Sequence, residues 1–137
     1  MLTIPPLLAE TEDAPPVMTY RGDLALALRP CVAMVGARNA SAAACRFARG
    51  LARELAGEGM IIVSGLARGI DTAAHMGAEE RTVAVIAGGI NSFYPPENAA
   101  LQARIAEDAL LIAEQPPGTE PKARYFPHRN RIIAGLA

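Results

Sequence analysis

Residues 31–71 read CVAMVGARNASAAACRFARGLARELAGEGMIIVSGLARGID, and this stretch decides the fold. Residues 31–35 (CVAMV) form a short, unbroken apolar run, as expected of a strand buried on both faces. Residues 36–39 turn the chain, and residues 41–58 predict a helix. In it Ala44, Phe47, Ala48, Leu51, Ala52 and Leu55 recur at three- and four-residue spacing. Arg46, Arg49, Arg53 and Glu54 fall on the other face. Asn39 or Ser41 suits the N-cap, and Gly57 and Gly59 suit the end. Residues 60–63 form a second apolar strand, so the unit is strand, helix, strand.

The same punctuation continues outward. Residues 64–69 predict a turn and 70–80 a helix. Residues 82–86 predict a third strand, 88–96 a loop, and 96–108 a helix with Pro96 in its first turn. Residues 109–113 predict a fourth strand, 114–126 a long Pro/Gly loop, and 127–137 the start of another helix. Alternation at this spacing predicts an α/β fold: a Rossmann-like, doubly wound, mainly parallel sheet with helices on both faces. Upstream, Pro5, Pro6, Pro15, Pro16 and Pro30 make residues 1–30 an extended Pro-rich arm. In that arm residues 20–23 predict a turn and residues 24–28 a short helical stretch.

The chain has 137 residues, enough for one domain with a true core. Lys and Arg total 13 against 14 Asp and Glu, so any basic surface is local. Residues 1–30 hold four acids and two bases, whereas residues 122–131 hold four bases, one His and no acid. Tyr125 and Phe126 lie among those bases. Cations for phosphates and rings for unstacked bases are what single-stranded nucleic acid requires. Cys31 and Cys45 lack metal-ligand spacing and read as reduced core thiols. The N-terminus carries no signal-peptide pattern, and no apolar run approaches the roughly 20 residues of a membrane helix. A cytoplasmic protein is expected, with no membrane partner.

Ligands of such folds bind at the carboxyl ends of the strands. Here those ends carry residues 36–39 (GARN), 64–69 (SGLARG), Gly88-Gly89 and 114–119 (EQPPGT). Glycine with Arg38 or Arg68 at a helix start predicts a phosphate seat made of free amides, helix dipole and guanidinium. Neither the GxGxxG dinucleotide fingerprint nor a P-loop is present, so no cofactor is expected. Asp71 reads as a partner of its helix dipole, His75 as a packed or surface histidine, and residues 94–98 (YPPEN) as loop rigidity and helix entry. Glu114 is a solitary carboxylate at a strand end. No metal-ligand set and no catalytic residue are assigned.

SGLARGID at residues 64–71, YPPEN at 94–98, QPPGT at 115–119 and FPHRNRIIAG at 126–135, after VGARN at 35–39, resemble the DprA/Smf family of DNA-processing proteins. The lead-in PPVMTYRGD at residues 15–23 belongs to the same pattern. The resemblance implies a non-enzymatic protein that binds single-stranded DNA, protects it and loads the RecA recombinase during natural transformation. Matching motifs point to Gly36, Arg38, Ser64, Gly65, Arg68, Gly69, Lys122, Phe126, Arg129, Asn130 and Arg131 as DNA-binding residues. Full-length members are homodimers and continue beyond the last motif, so residues 31–137 are expected to be an incomplete, C-terminally truncated DNA-binding domain. The alternative is a phosphoribohydrolase-like enzyme, or a sensor, that takes nucleoside monophosphates at the same seats, with Glu114 as the enzyme's carboxylate.

Overall fold

A computed structural model describes residues 6–10, 15 and 17–137. In chain order the elements are α1 (Pro6–Ala9), β1 (Thr19–Gly22), a 3-10 turn (Leu24–Leu28), β2 (Cys31–Ala33), α2 (Ala42–Gly57), β3 (Ile61–Ser64) and α3 (Ile70–Ala78). There follow β4 (Thr82–Ile86), a 3-10 turn (Pro96–Asn98), α4 (Ala99–Asp108), β5 (Leu110–Ala113) and α5 (Tyr125–Leu136). The five strands form one sheet in the order β1-β5-β4-β3-β2. β2 to β5 are parallel and β1 is antiparallel to β5, as expected for a mainly parallel α/β sheet.

β3, β4 and β5 are buried at every position, which is what continuous apolar runs require when both faces are covered. Ile62 packs with Ala52, Ala56, Ala74 and Ala78, so α2 and α3 cover one face. Ile61 and Val63 belong to the cluster that holds Ile132, Ile133 and Leu136, so α5 covers the opposite face.

Four expectations change. β2 is not buried at any position: among the described residues it is the outer strand of the sheet, it ends at Ala33, and Val35 is exposed. Apolar content alone does not tell an edge from a centre. Residues 20–23 were expected to turn, but Tyr20, Arg21 and Gly22 pair with β5 as an edge strand. Proline blocks a central strand, not an edge, and no proline lies within β1. On α2 the buried stripe is Ala48, Ala52 and Ala56, while Phe47 is 72% exposed and Leu51 lies on the outer side. Small residues win there because α2 and α3 approach closely: a Cβ on Gly77 would stand 2.1 Å from the Arg49 carbonyl oxygen. Finally, α5 begins at Tyr125, two residues before Pro127. Proline fits the first turn, where its missing N–H has no intrahelical partner to lose. The parts of the arm at residues 1–5, 11–14 and 16 lie outside the described residues.

Candidate nucleic-acid interface

The carboxyl ends of β2, β3 and β4 and the start of α5 converge on one rim. Ser41 caps α2 by accepting the Ala44 amide at 3.1 Å, which leaves the loop from Gly36 to Asn39 free to lean toward α3. The turn after β3 is set by Gly69, whose φ of +78° and 2.3 Å Cβ distance to the Ala37 carbonyl oxygen exclude a side chain. The loops after β4 and β5 are tied together, with the Gly89 amide on the Thr119 carbonyl at 2.9 Å and the Gly118 amide on Asn91 at 2.6 Å. Asn98 then joins the YPPEN segment to the turn after β3. Its side-chain amide donates to the Leu66 carbonyl at 3.1 Å and to the Thr72 hydroxyl at 2.8 Å.

Four of the expected residues meet here with one that the sequence reading had set aside. The Arg38 guanidinium lies 4.9 Å from the centre of the Phe126 ring, and Arg129 lies 5.6 Å from it. Tyr94 packs against Phe126 at 5.6 Å in a tilted arrangement, and Arg68 stands 5.8 Å from the Tyr94 ring. Arg68 also forms a forked pair with Glu97, at 2.5 and 3.1 Å, which raises the pKa of the guanidinium and lowers that of the carboxyl. The cleft between these groups is closed down to about 10 Å³, room for roughly one water. Guanidiniums cover the Phe126 ring, whereas the Tyr94 ring is 39% exposed. Asn130 lines a shallow depression beside Arg38 and Phe126.

Beneath the rim is a buried polar frame. Asp71 accepts the Gly65 amide at 3.0 Å and the Gly36 amide at 3.3 Å, and burial raises its pKa against the opposing influence of these amides and of Arg129. Arg129 is 6% exposed and donates to the Gly65 carbonyl at 2.6 Å and the Val85 carbonyl at 2.9 Å. A Cβ on Gly65 would lie 2.6 Å from the Arg129 guanidinium and 3.0 Å from the Asp71 carboxylate, so a larger residue there would push these two side chains from their places. His75 is fully buried. Its Nε2 accepts the Leu66 amide at 3.2 Å, and Nδ1 then donates to the Thr82 hydroxyl at 2.6 Å, which donates to the Ile62 carbonyl at 2.9 Å. Burial first, then Arg129 and Arg104, pushes the His75 pKa down to about 3, so the ring is neutral. Ser64 is buried and its hydroxyl donates to the Met34 carbonyl at 2.5 Å.

Part of the expected amide seat is already taken within the protein. The Gly36 and Gly65 amides are occupied by Asp71, and the Leu66 amide by His75. Asp71 sits in the first turn of α3, at its positive end, as its sequence position suggested, and its carboxylate bridges the two turns. Lys122 is exposed on the approach to α5 and does not line the cleft. Arg131 pairs with Glu114, which His128 also contacts at 3.4 Å. Glu114, the carboxylate named for the phosphoribohydrolase alternative, is thus engaged by two cationic side chains. Tyr94, Asp71 and Asn98 were not assigned binding roles from sequence. Their signal is tertiary, apart from the aromatic character of Tyr94 in a strand-end loop. Among the described residues, no group of three metal-ligating side chains comes together, and no helix is long and apolar enough to cross a membrane.

Residues 2–137 match the family described as DNA recombination-mediator protein A. The chain belongs to this family. DNA processing protein DprA of Streptococcus pneumoniae is 46% identical over 132 residues, which cover 94% of this chain and 46% of that protein. Protein Smf of Escherichia coli is 39% identical over 137 residues, or 97% of this chain and 37% of that one. The X-ray structure of S. pneumoniae DprA superposes with a TM-score of 0.92 at 45% identity, covering 98% of this chain and 48% of that one. A structure of DprA from Helicobacter pylori, which concerns that protein's single-stranded DNA binding mode, superposes with a TM-score of 0.95 at 30% identity. It covers all of this chain and 64% of that one. The chain thus spans about half the length of the DprA proteins from which these first matches come. The arginine–aromatic rim and its Asp71–Arg129 frame lie wholly within the shared part of the fold.

Proposed function

We propose that this chain is the single-stranded DNA-binding part of a recombination mediator that protects incoming DNA. In the whole protein, that part serves a homodimer that loads RecA during natural transformation. The observation that carries the binding reading is Arg38 lying over Phe126 at 4.9 Å, with Tyr94 and Arg68 beside them. Two exposed guanidiniums and two rings on one rim supply phosphate neutralisation and base stacking together. The fold of a DprA whose single-stranded DNA binding mode has been studied supports the same reading.

The mechanism is an exchange. Without DNA, Arg38 covers the Phe126 ring. An arriving phosphate draws the exposed guanidinium away, and a base takes the vacated ring face. Arg68 has a parallel choice between Glu97 and a phosphate, and Lys122 and Asn130 flank the path. Gly36, Ser64, Gly65, Gly69 and Arg129 act from beneath: they hold the turns that carry these groups. Arg131 acts through Glu114, steadying the loop after β5. In this reading the DNA is held and not altered.

The test is binding of labelled oligo-dT followed by anisotropy. Binding to all sequences, weakened in Arg38→Ala and Phe126→Ala, supports the reading. Tight binding of nucleoside monophosphates with no gain from longer oligomers would replace it with a nucleotide sensor.

A further inference from the structure

The turn that carries Arg68 faces two ways. On one side is the ring cleft. On the other, a groove of about 480 Å³ opens between α2 and α3. Cys45, Ala73 and Met76 lie along its apolar lining, and Arg46, Arg49 and Arg68 are the cations among the residues around it. Arg46 and Arg49 are exposed and one turn apart on α2, with Cβ atoms roughly 5–6 Å from each other. Among the described residues, neither guanidinium has a hydrogen-bond or ion-pair partner. The acid at this groove, Glu97, is already held by Arg68. Met76 is 39% exposed, more than a helix residue facing a packed neighbour would be.

Apolar lining and cationic edges call for an occupant that is flat and apolar in one part and anionic in another. A nucleotide has that composition, and the groove is continuous with the rim through Arg68. We propose that the groove is a second nucleotide subsite, one that takes the stretch of single-stranded DNA leaving the ring cleft past Arg68. Arg46 and Arg49 contact successive phosphates, and a base lies against Met76 and Ala73. The extension is short. Beyond Met76 the surface turns acidic, with Glu79, Glu80 and Asp108 around Arg49 and Arg104, and a phosphate chain is turned away there. This inference rests on the single-stranded DNA reading of the rim.

The experiment is a length series of oligo-dT against the full chain and the double variant Arg46→Ala/Arg49→Ala. Both positions are exposed, so the variant keeps the fold. The shortest oligomer that binds should bind the variant unchanged. Longer ones should bind it about tenfold more weakly at low salt, with a salt slope shallower by roughly 1.4, two phosphate contacts' worth. Arg46→Lys/Arg49→Lys should restore the slope. Equal affinity at every length, or equal weakening at every length, overturns the groove while the rim reading stands. Failure of the unmodified chain to bind any length overturns both. Loss of poly-glutamate binding with DNA binding intact would reassign the groove to acidic peptides and overturn the proposal.

Discussion

Asp71 accepts the amide proton of Gly65 at 3.0 Å, six residues back along the chain. The same carboxylate reaches the Gly36 amide, so one side chain joins the turns after β2 and β3. Arg129 closes the arrangement by binding the Gly65 carbonyl. The Gly36 and Gly65 amides are therefore bound inside the protein, and under the proposed function the exposed guanidiniums carry the grip on DNA.

Asp71→Ala should destabilise the fold by about 3 kcal/mol, because it strands buried amides and leaves the Arg129 charge without its counter-ion. Asp71→Asn should cost less, since its carbonyl still accepts one amide. Urea midpoints compared at unchanged m-value check both.

Arg129 and Arg38 should separate stability from binding. Arg129→Met leaves the Gly65 and Val85 carbonyls unpaired and should lower the urea midpoint by the equivalent of about 2–4 kcal/mol. Arg38 is exposed, so Arg38→Ala should leave the midpoint unmoved and weaken oligo-dT binding at every sequence. Paired denaturation and anisotropy measurements decide it.

His75 makes stability fall on acidification. Its folded pKa, near 3, lies below the ordinary 6.5, so below pH 6.5 the unfolded chain takes up a proton that the folded chain refuses. Stability is complete above pH 6.5 and is lost at up to about 1.4 kcal/mol per pH unit below it. Asp71 acts in the opposite sense, because its raised pKa favours proton uptake by the folded form, and it offsets part of the loss at lower pH. His75→Gln should flatten the slope between pH 6 and 5, as followed by thermal unfolding.

Phe126→Ala and Tyr94→Ala should each weaken binding by about 1–3 kcal/mol, the worth of a base–aromatic stack, and leave the salt slope unchanged. Arginine variants should do the reverse and shallow it. Salt titrations of the two classes distinguish stacking from charge.

The parallel strands and the helix positions were legible because residues 61–64, 82–86 and 110–113 are largely apolar runs between glycine and proline punctuation. Arg38, Arg68 and Phe126 were legible as binding chemistry from type and place: cations and a ring at strand ends. What escaped depends on distance between segments. Nothing local to Asp71 says that its carboxylate spans two turns, nor that Arg129, in a run of solvated bases, is buried against β4. Phe47 and Ala48 fit the same helical period, and only the close approach of α3 decides that the smaller residue goes inside. Tyr94 joins the rim because the loop after β4 folds back beside Phe126, a contact between residues far apart in sequence.

The central claim is that exposed guanidiniums, and not buried amides, hold the DNA backbone. The most direct measurement is the slope of log K against log salt for oligo-dT, taken for the unmodified chain and for Arg38→Ala. A steep slope that becomes shallower by about 0.7 in the variant is the predicted result. An affinity insensitive to salt, or a slope untouched by the substitution, would contradict the claim.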